Sequence, residues 1–444
     1  MNIQLSDHFT YKRIMRFTLP SIIMMIVTSI YSVIDGLFVS NIVGSNALSA
    51  INIVTPLFFI VGAFGFMLGT GGSAEVARTL GEGEKEKANK YFSMLIYSVL
   101  IIGIVLGILG FIFMRPLSLM LGASEAIIED CVSYGRILIA GSGIFMLQTT
   151  FQSFFIVAEK PNMGLIFSVA SGITNILLDY LFVYVMKMGI AGAAIATVCG
   201  YMVGGIIPFI YFLMPGIRTL KITKTKLYPK ILLNSCINGS SEMMSNVSQS
   251  IVTILYNLQL MKIAGENGVA AITVIMYVNF IFIAIFIGFS IGTAPIISYN
   301  YGAENHKELR NVYKKAITII GIVSVVMALI ATSVATQAAR IFVGSNEELA
   351  IMTSHGLRIF AISFLFSGVN IFGSSFFTAL CNGKISALIS FLRTLVLQSI
   401  MIIVLPKIFG INGVWFSVVI AELGSMLITT YFFISRRKQY HYMS

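Results

Sequence analysis

Twelve apolar runs, each of 20 residues or more, follow one another along this chain with only short polar breaks between them. They cover about 14–38, 48–78, 92–113, 131–157, 163–185, 191–214, 232–262, 269–297, 314–336, 353–380, 387–406 and 412–435, with ends good to about 2–4 residues. The hydrocarbon core of a bilayer is about 30 Å thick, which about 20 helical residues cross. Within it every backbone N–H and C=O must be satisfied by the chain itself, so only helices and closed barrels span. Barrel strands would be about 10 residues long and would alternate in polarity. These runs are too long and too evenly apolar for that. The chain therefore reads as an all-α membrane protein with 12 transmembrane helices. At 57% hydrophobic and 11% charged residues it falls outside the range of ordinary soluble domains. The opening "MNIQLSDHFTYKRIMRFTLPS" puts its charges directly before a full-length span, with no short apolar core and small-residue cleavage site, so the first span is expected to be retained.

Lys and Arg number 29 against 18 Asp and Glu, a net charge of +11. In a soluble chain that excess would suggest nucleic acid, but here its placement decides the reading. With the N-terminus set in the cytoplasm, 21 basic residues lie at cytoplasmic span ends, 7 at outer ends, and Arg393 falls inside a span. The positive-inside rule then places both termini in the cytoplasm. The cysteines (131, 199, 236, 381) and histidines (8, 306, 355, 441) are scattered, with no CxxC pair, so neither a disulfide framework nor a metal cluster is expected. "GTGGSAEVARTLGEGE" is glycine-rich but ends a span and lacks the Lys-Ser/Thr of a phosphate loop. No HExxH or GxSxG occurs. The expectations are no enzyme, no ATP, no cofactor and no nucleic-acid partner, with any work driven by an ion gradient.

The chain repeats itself. "NIVGSNALSAINIV" at 41–54 is echoed by "KIAGENGVAAITVI" at 262–275, and "GFMLGT" at 65–70 by "GFSIGT" at 288–293. Gly44 and Gly265, Gly81 and Gly302, and Gly189 and Gly410 are each 221 residues apart. A six-helix unit has been duplicated, and an even helix number makes the copies parallel, a plan common among transporters. The expected organisation is an N-terminal lobe at 1–214, a basic cytoplasmic linker at 215–230 and a C-terminal lobe at 231–444.

Polar residues in one half only need a reason beyond scaffolding. Asp179 lies nine residues before the turn near Met188 and Thr197 nine after it, so an antiparallel hairpin sets them at one depth. Asn175 is one helical turn from Asp179. Asp35 is nine residues before its own outer turn near Gly44. At a spacing of 221, Asn175, Asp179 and Thr197 map onto Val396, Ile400 and Val418. A carboxylate in hydrocarbon costs several kcal/mol unless it faces a cavity or a partner. Two carboxylates, an amide and a hydroxyl form a hard-oxygen set suited to a small cation, and close acids in low dielectric suit a proton. Hydrogen bonding to neighbouring helices is the bland alternative for each acid taken singly.

On these residues the chain resembles the multidrug and toxic compound extrusion (MATE) family, in its MepA-like bacterial branch. The resemblance covers the whole chain; its specific part is Asp35, Pro20 fifteen residues before it, Asn175-x3-Asp179, and Thr197. It implies cation coupling by H⁺ or Na⁺ at Asp35, Asn175, Asp179 and Thr197, with Pro20 as a helix kink, a role its missing N–H also suggests. It further implies a functional monomer in the bacterial inner (plasma) membrane that exports small lipophilic, often cationic compounds. Another branch of the family uses acids in helices seven and ten. Glu242, in the polar stretch "NGSSEMMSNVSQS", stands where the first would be, but helix ten has Gly368 and Asn370 and no acid.

Glu242, Gln152 and Glu159 are candidate substrate contacts. Arg393 and Glu422 read as a structural pair, and Glu75 as a partner for Arg78 one turn on. The rival function is a lipid-linked saccharide flippase of the same broad architecture, for which a strongly basic central cavity is expected. The interior charge here is mainly acidic.

Overall fold

A computed structural model of the chain describes residues 3–42, 45–216, 219–343 and 346–443; the side chains of 32–42, 45–49, 52 and 343 lie outside that description. Every regular element among the described residues is a helix, without strands. Helix α1 (Tyr11–Ile42), α2 (Ser45–Gly81) and α3 (Lys85–Met120) each form a span. The fourth is α4 (Ile128–Ala140) followed by α5 (Ser142–Val157), and the fifth is α6 (Pro161–Asp179) continued by a π-helical segment, η1 (Tyr180–Val185). Helix α7 (Gly189–Leu213) is the sixth. Helix α8 (Pro229–Gly302) has 74 residues, about 110 Å of straight helix and far more than a bilayer needs. It breaks at Gly265, whose φ of 61° and ψ of −149° suit glycine alone, and so supplies spans seven and eight. Then come α9 (His306–Val343), the pair α10 (Glu347–Ala361) and α11 (Phe364–Ala379), the run α12 (Gly383–Phe391), η2 (Leu392–Leu397) and α13 (Gln398–Phe409), and finally α14 (Ile411–Tyr440). Among the described residues that makes twelve spans at the expected places.

The duplication shows in the details. The pairs α4–α5 and α10–α11 bend by 50° and 52°. The bends fall at Gly141 and Ile362, again 221 residues apart. A serine follows each bend, and the two bond differently: Ser363 caps a carbonyl of its own bend, while Ser142 ties the first bend to α3. Ser142 Oγ donates to Gly103 O (3.4 Å) and Ser363 Oγ to Phe360 O (2.7 Å). Gly189 and Gly410 open α7 and α14 with φ of 61° and 57°. Pro20 is buried in α1, which is helical on both sides of it.

Residues 3–10 and 436–443 lie on one face, termed proximal here. The two lobes meet closely in the proximal half. Gly71 on α2 faces Gly239 on α8, and a Cβ on either would strike the other helix's backbone. The duplicate of that contact sets Gly292 against Thr18, where a Cβ would lie 3.0 Å from the Thr18 Cα. Lower still, Gly81 faces Tyr299 O and Gly302 faces Arg78 O. In the distal half the buried apolar side chains fall into separate clusters, one around Phe58, Tyr134 and Tyr201 of the first lobe and one around Tyr256, Phe360 and Trp415 of the second. The connection between lobes is two residues shorter at its end than expected, because Pro229 starts α8, where its missing N–H costs nothing.

Candidate functional site

Helices α6 and α7 cross closely because Gly200 on α7 has no side chain. A Cβ there would lie 2.9 Å from Ser171 O and 3.1 Å from the Asn175 Cβ. Ser171 Oγ uses the approach to donate to Gly200 O at 2.7 Å. One turn deeper the expected set assembles. Asn175 Nδ2 donates to Asp179 Oδ2 (3.0 Å) and lies 3.4 Å from Thr197 Oγ1, which in turn donates to Ala193 O (2.9 Å). Asn175 and Asp179 are each only 2% exposed. Asn175 Oδ1 is buried with no hydrogen-bond partner among the described residues. The side chain of Asp35 lies outside the described residues. Its helix nonetheless passes this site, since Tyr31 packs on Gly172, 3.6 Å from where a Cβ would be. Asp35 is one turn beyond Tyr31, and Asn175 and Asp179 lie one and two turns beyond Gly172. Three of the four expected residues are thus brought together; the fourth, Asp35, has its side chain outside the described residues.

Asp179 is also the last α-helical residue before η1, where the hydrogen-bond ladder slips by one and Met186 N–H reaches Leu181 O (2.9 Å). Such π segments widen a helix and recur at functional sites. Nothing in the local sequence signals this one: "YLFVYV" reads as ordinary apolar helix.

The second lobe carries a different buried cluster on the corresponding span. Arg393 lies in η2, the other π segment, and grips Glu422 of α14. Its Nε donates to Oε1 and Oε2 at 2.9 and 3.0 Å, and its Nη2 reaches Oε1 at 2.8 Å. Asn370 Nδ2 on α11 donates to Glu422 Oε2 (2.7 Å), and Thr429 donates to Asn370 Oδ1 (3.1 Å). The expected Arg393–Glu422 pair is present, and Asn370, in the helix noted above for lacking an acid, completes it. One lobe therefore holds a buried carboxylate with an amide and a hydroxyl, and the other a carboxylate already neutralised by a guanidinium.

Glu242 lines a small cavity of about 20 Å³ between the lobes, together with Thr70, Ser73, Ser153, Ser375 and Thr378. That is room for about one water molecule. Gln152 sits nearby on α5, its Nε2 3.3 Å from Ser168 Oγ. Glu159 is further toward the proximal face, in the turn between α5 and α6, where its Oε1 accepts from Leu5 N–H at 2.8 Å. Burial pushes the Glu159 carboxyl above the usual carboxylate range, while the Leu5 N–H and Lys160 favour its charged form. Glu75 is not the partner of Arg78. Arg78 Nε bonds Glu82 at 3.0 Å and the guanidinium lies over the Tyr301 ring, 5.6 Å from its centre. Glu82 lies past the helix end, where both side chains reach solvent.

Comparison with known proteins gives a consistent picture. The MatE family profile matches twice, over residues 20–181 and 243–404, once in each lobe. The multidrug export protein MepA of Staphylococcus haemolyticus is 23% identical over 431 residues, spanning 97% of this chain and 94% of its own length. The MepA of Staphylococcus saprophyticus is 24% identical over 424 residues, spanning 94% and 93%. A solved structure described as the outward-facing conformation of a multidrug resistance MATE family transporter of the MOP superfamily is 25% identical. It superposes with a TM-score of 0.92 over 99% of this chain and 98% of its own.

Proposed function

Since this chain belongs to the MatE family of multidrug efflux transporters, we propose that it is a secondary active antiporter of a bacterial plasma membrane. It exports lipophilic, often cationic compounds in exchange for H⁺ or Na⁺. The three-to-one excess of Lys and Arg supports a cytoplasmic proximal face. The close glycine contacts between lobes on that face, and the separate apolar clusters distally, then suit a state closed to the cytoplasm and open outward. The relative described as outward-facing supports the same reading.

The buried Asn175–Asp179–Thr197 cluster, confined to one lobe, carries the proposal. A carboxylate that is 2% exposed at membrane depth gains from binding a cation or a proton. On the same reading Asp35 of α1 is the second coupling acid. Antiport requires the ion to favour one arrangement of the lobes over the other, because a ligand that binds both equally shifts nothing. Glu242, an acid lining the interlobe cavity, is the proposed contact for a cationic substrate. Gln152 lies close by as a polar contact.

The test uses purified protein in liposomes loaded with a pH dye, with ethidium as substrate, with and without a sodium gradient. Proton movement that needs ethidium and vanishes in Asp179→Asn is the expected result for H⁺ antiport. Ethidium movement driven by sodium alone, and lost in the same variant, assigns the site to Na⁺. Undiminished transport in Asp179→Asn, at equal protein in the membrane, refutes the assignment of the coupling site.

A further inference from the structure

We infer that the seam between α5, α6 and α7 is the route by which the coupling ion passes between Asp179 and the interlobe cavity. The route presupposes the coupling site proposed above and adds its connection to that cavity. The residues that α6 buries are Gly164, Ser168, Ser171, Gly172, Asn175 and Asp179, without one apolar side chain. On its opposite face Ile166, Ile173 and Leu177 are 55%, 52% and 63% exposed, as lipid contact requires. Small residues alone would read as close helix packing. Against them, however, α5 sets two amides four residues apart, Gln148 and Gln152, and Gln148 is buried. At a spacing of 221, Gln148, Gln152, Ser168 and Ser171 map onto Val369, Gly373, Ile389 and Leu392. The seam, like the coupling cluster, is therefore not part of the duplicated scaffold.

The polar groups form a ladder that starts at the cavity. Ser153 lines the cavity with Glu242. Its neighbour Gln152 has Nε2 3.3 Å from Ser168 Oγ. The next level sets Ser171 Oγ 3.5 Å from Gln148 Oε1, and the last is Asn175 with Asp179 and Thr197. Ser168 and Asp179 are 11 residues apart, about 16 Å of helix. Levels one turn apart, about 5.4 Å, are the span of a single bridging water with a hydrogen bond of about 2.8 Å to each side. The oxygens also have capacity to spare. Ser171 has one hydroxyl hydrogen and gives it to Gly200 O at 2.7 Å, so it serves Gln148 Oε1 poorly. Asn175 must turn its amide nitrogen to the Asp179 carboxylate, which leaves its Oδ1 as the buried atom without a partner among the described residues. Spare acceptors at successive depths suit a desolvated cation, or a proton carried on waters. In this state α7 closes the seam through two glycines. A Cβ on Gly200 would lie 2.9 Å from Ser171 O, and one on Gly204 2.9 Å from Gln148 Oε1. A small outward shift of α7 would therefore uncover oxygen rather than hydrocarbon.

The test uses the full-length protein in the ethidium liposome assay. Valine and threonine have nearly one shape, so the pair separates hydroxyl from volume. Ser168→Val is expected to cut ethidium-coupled ion movement about ten-fold or more, and Ser168→Thr to recover most of it, at equal reconstituted protein. A second readout needs no transport. With the four native cysteines replaced, Ser171→Cys in lipid nanodiscs should bind Ag⁺, a small monovalent cation with affinity for thiols, about ten-fold or more faster than Ile173→Cys on the lipid face. Adding Ser168→Val should remove that advantage. Equal transport in Ser168→Val and Ser168→Thr overturns the route, and so does Ag⁺ binding in Ser171→Cys that Ser168→Val leaves unchanged. The coupling site is judged separately, by Asp179→Asn: if that variant is inactive while Ser168→Val matches Ser168→Thr, the route alone falls.

Discussion

The Arg393–Glu422 pair offers the most quantitative test of the fold. Its side chains are 14% and 8% exposed, so solvent screens the interaction little. Arg393→Met keeps most of the aliphatic volume and removes the charge, leaving Glu422 buried with Asn370 as its one side-chain donor among the described residues, at 2.7 Å. Breaking a buried pair from one side costs about 3–5 kcal/mol, because the remaining charge is uncompensated. With unfolding entropy of about 2.1 cal/mol/K per residue over 444 residues, that is a fall in melting temperature of about 3–5 °C. The double variant Arg393→Met/Glu422→Gln removes both charges and keeps an oxygen for Asn370. Neutral replacement of a buried pair often costs nothing, so it should melt within about 1 °C of the parent. The assay is thermal unfolding in one detergent at one scan rate, since membrane proteins of this size unfold irreversibly. The coupling comes from the complete double-mutant cycle, including Glu422→Gln alone. A double variant as unstable as Arg393→Met, or an Arg393→Met that melts with the parent, would refute the reasoning.

Two further outcomes follow from packing. Gly71→Val puts branched carbon where the backbone of Ser235 and Gly239 already lies; it should force the lobes apart proximally and cut export at least ten-fold, with unchanged protein in the membrane by immunoblot, whereas normal export would mean that the contact is not needed. Trp415 is the chain's one tryptophan and is fully buried against Gly356 in the second lobe, so its emission should be blue-shifted and resist iodide, and strong quenching would contradict the placement.

Sequence periodicity was sufficient for the twelve spans, because lipid leaves a helix no alternative to being long and apolar. Asn175, Asp179 and Thr197 were legible for a related reason. A buried carboxylate is rare enough to stand out, and antiparallel hairpin geometry turns equal distance from a turn into equal depth. The remaining features depend on contacts the chain makes far away in sequence. The bends at Gly141 and Ile362 lie inside uninterrupted apolar runs, and the serines that follow them look like any span serine. The π segments have no composition of their own. Arg78 had acids on both sides, and the helix end rather than the spacing selected Glu82. Leu5 and Phe9 lie outside any span, so hydropathy gave no warning that they would be among the most buried residues of the molecule.

The connection between the lobes carries a mechanical consequence. Its backbone is pinned along the start of α3, with Lys221 N–H on Asn89 Oδ1 and Thr223 N–H on Ser93 Oγ, each at 2.8 Å. Thr225 Oγ1 adds a bond to Lys90 O at 2.8 Å, and the Tyr228 ring meets that of Tyr91. Most of the connector is thus part of the first lobe's solid body, and the leash that reaches the second is only the joint at Tyr228–Pro229. With so little slack, the lobes cannot slide past one another or drift apart as units. What this joint leaves available is a swing about a fixed point, like a door on one pin, and the proposed antiport would have to work by rotation.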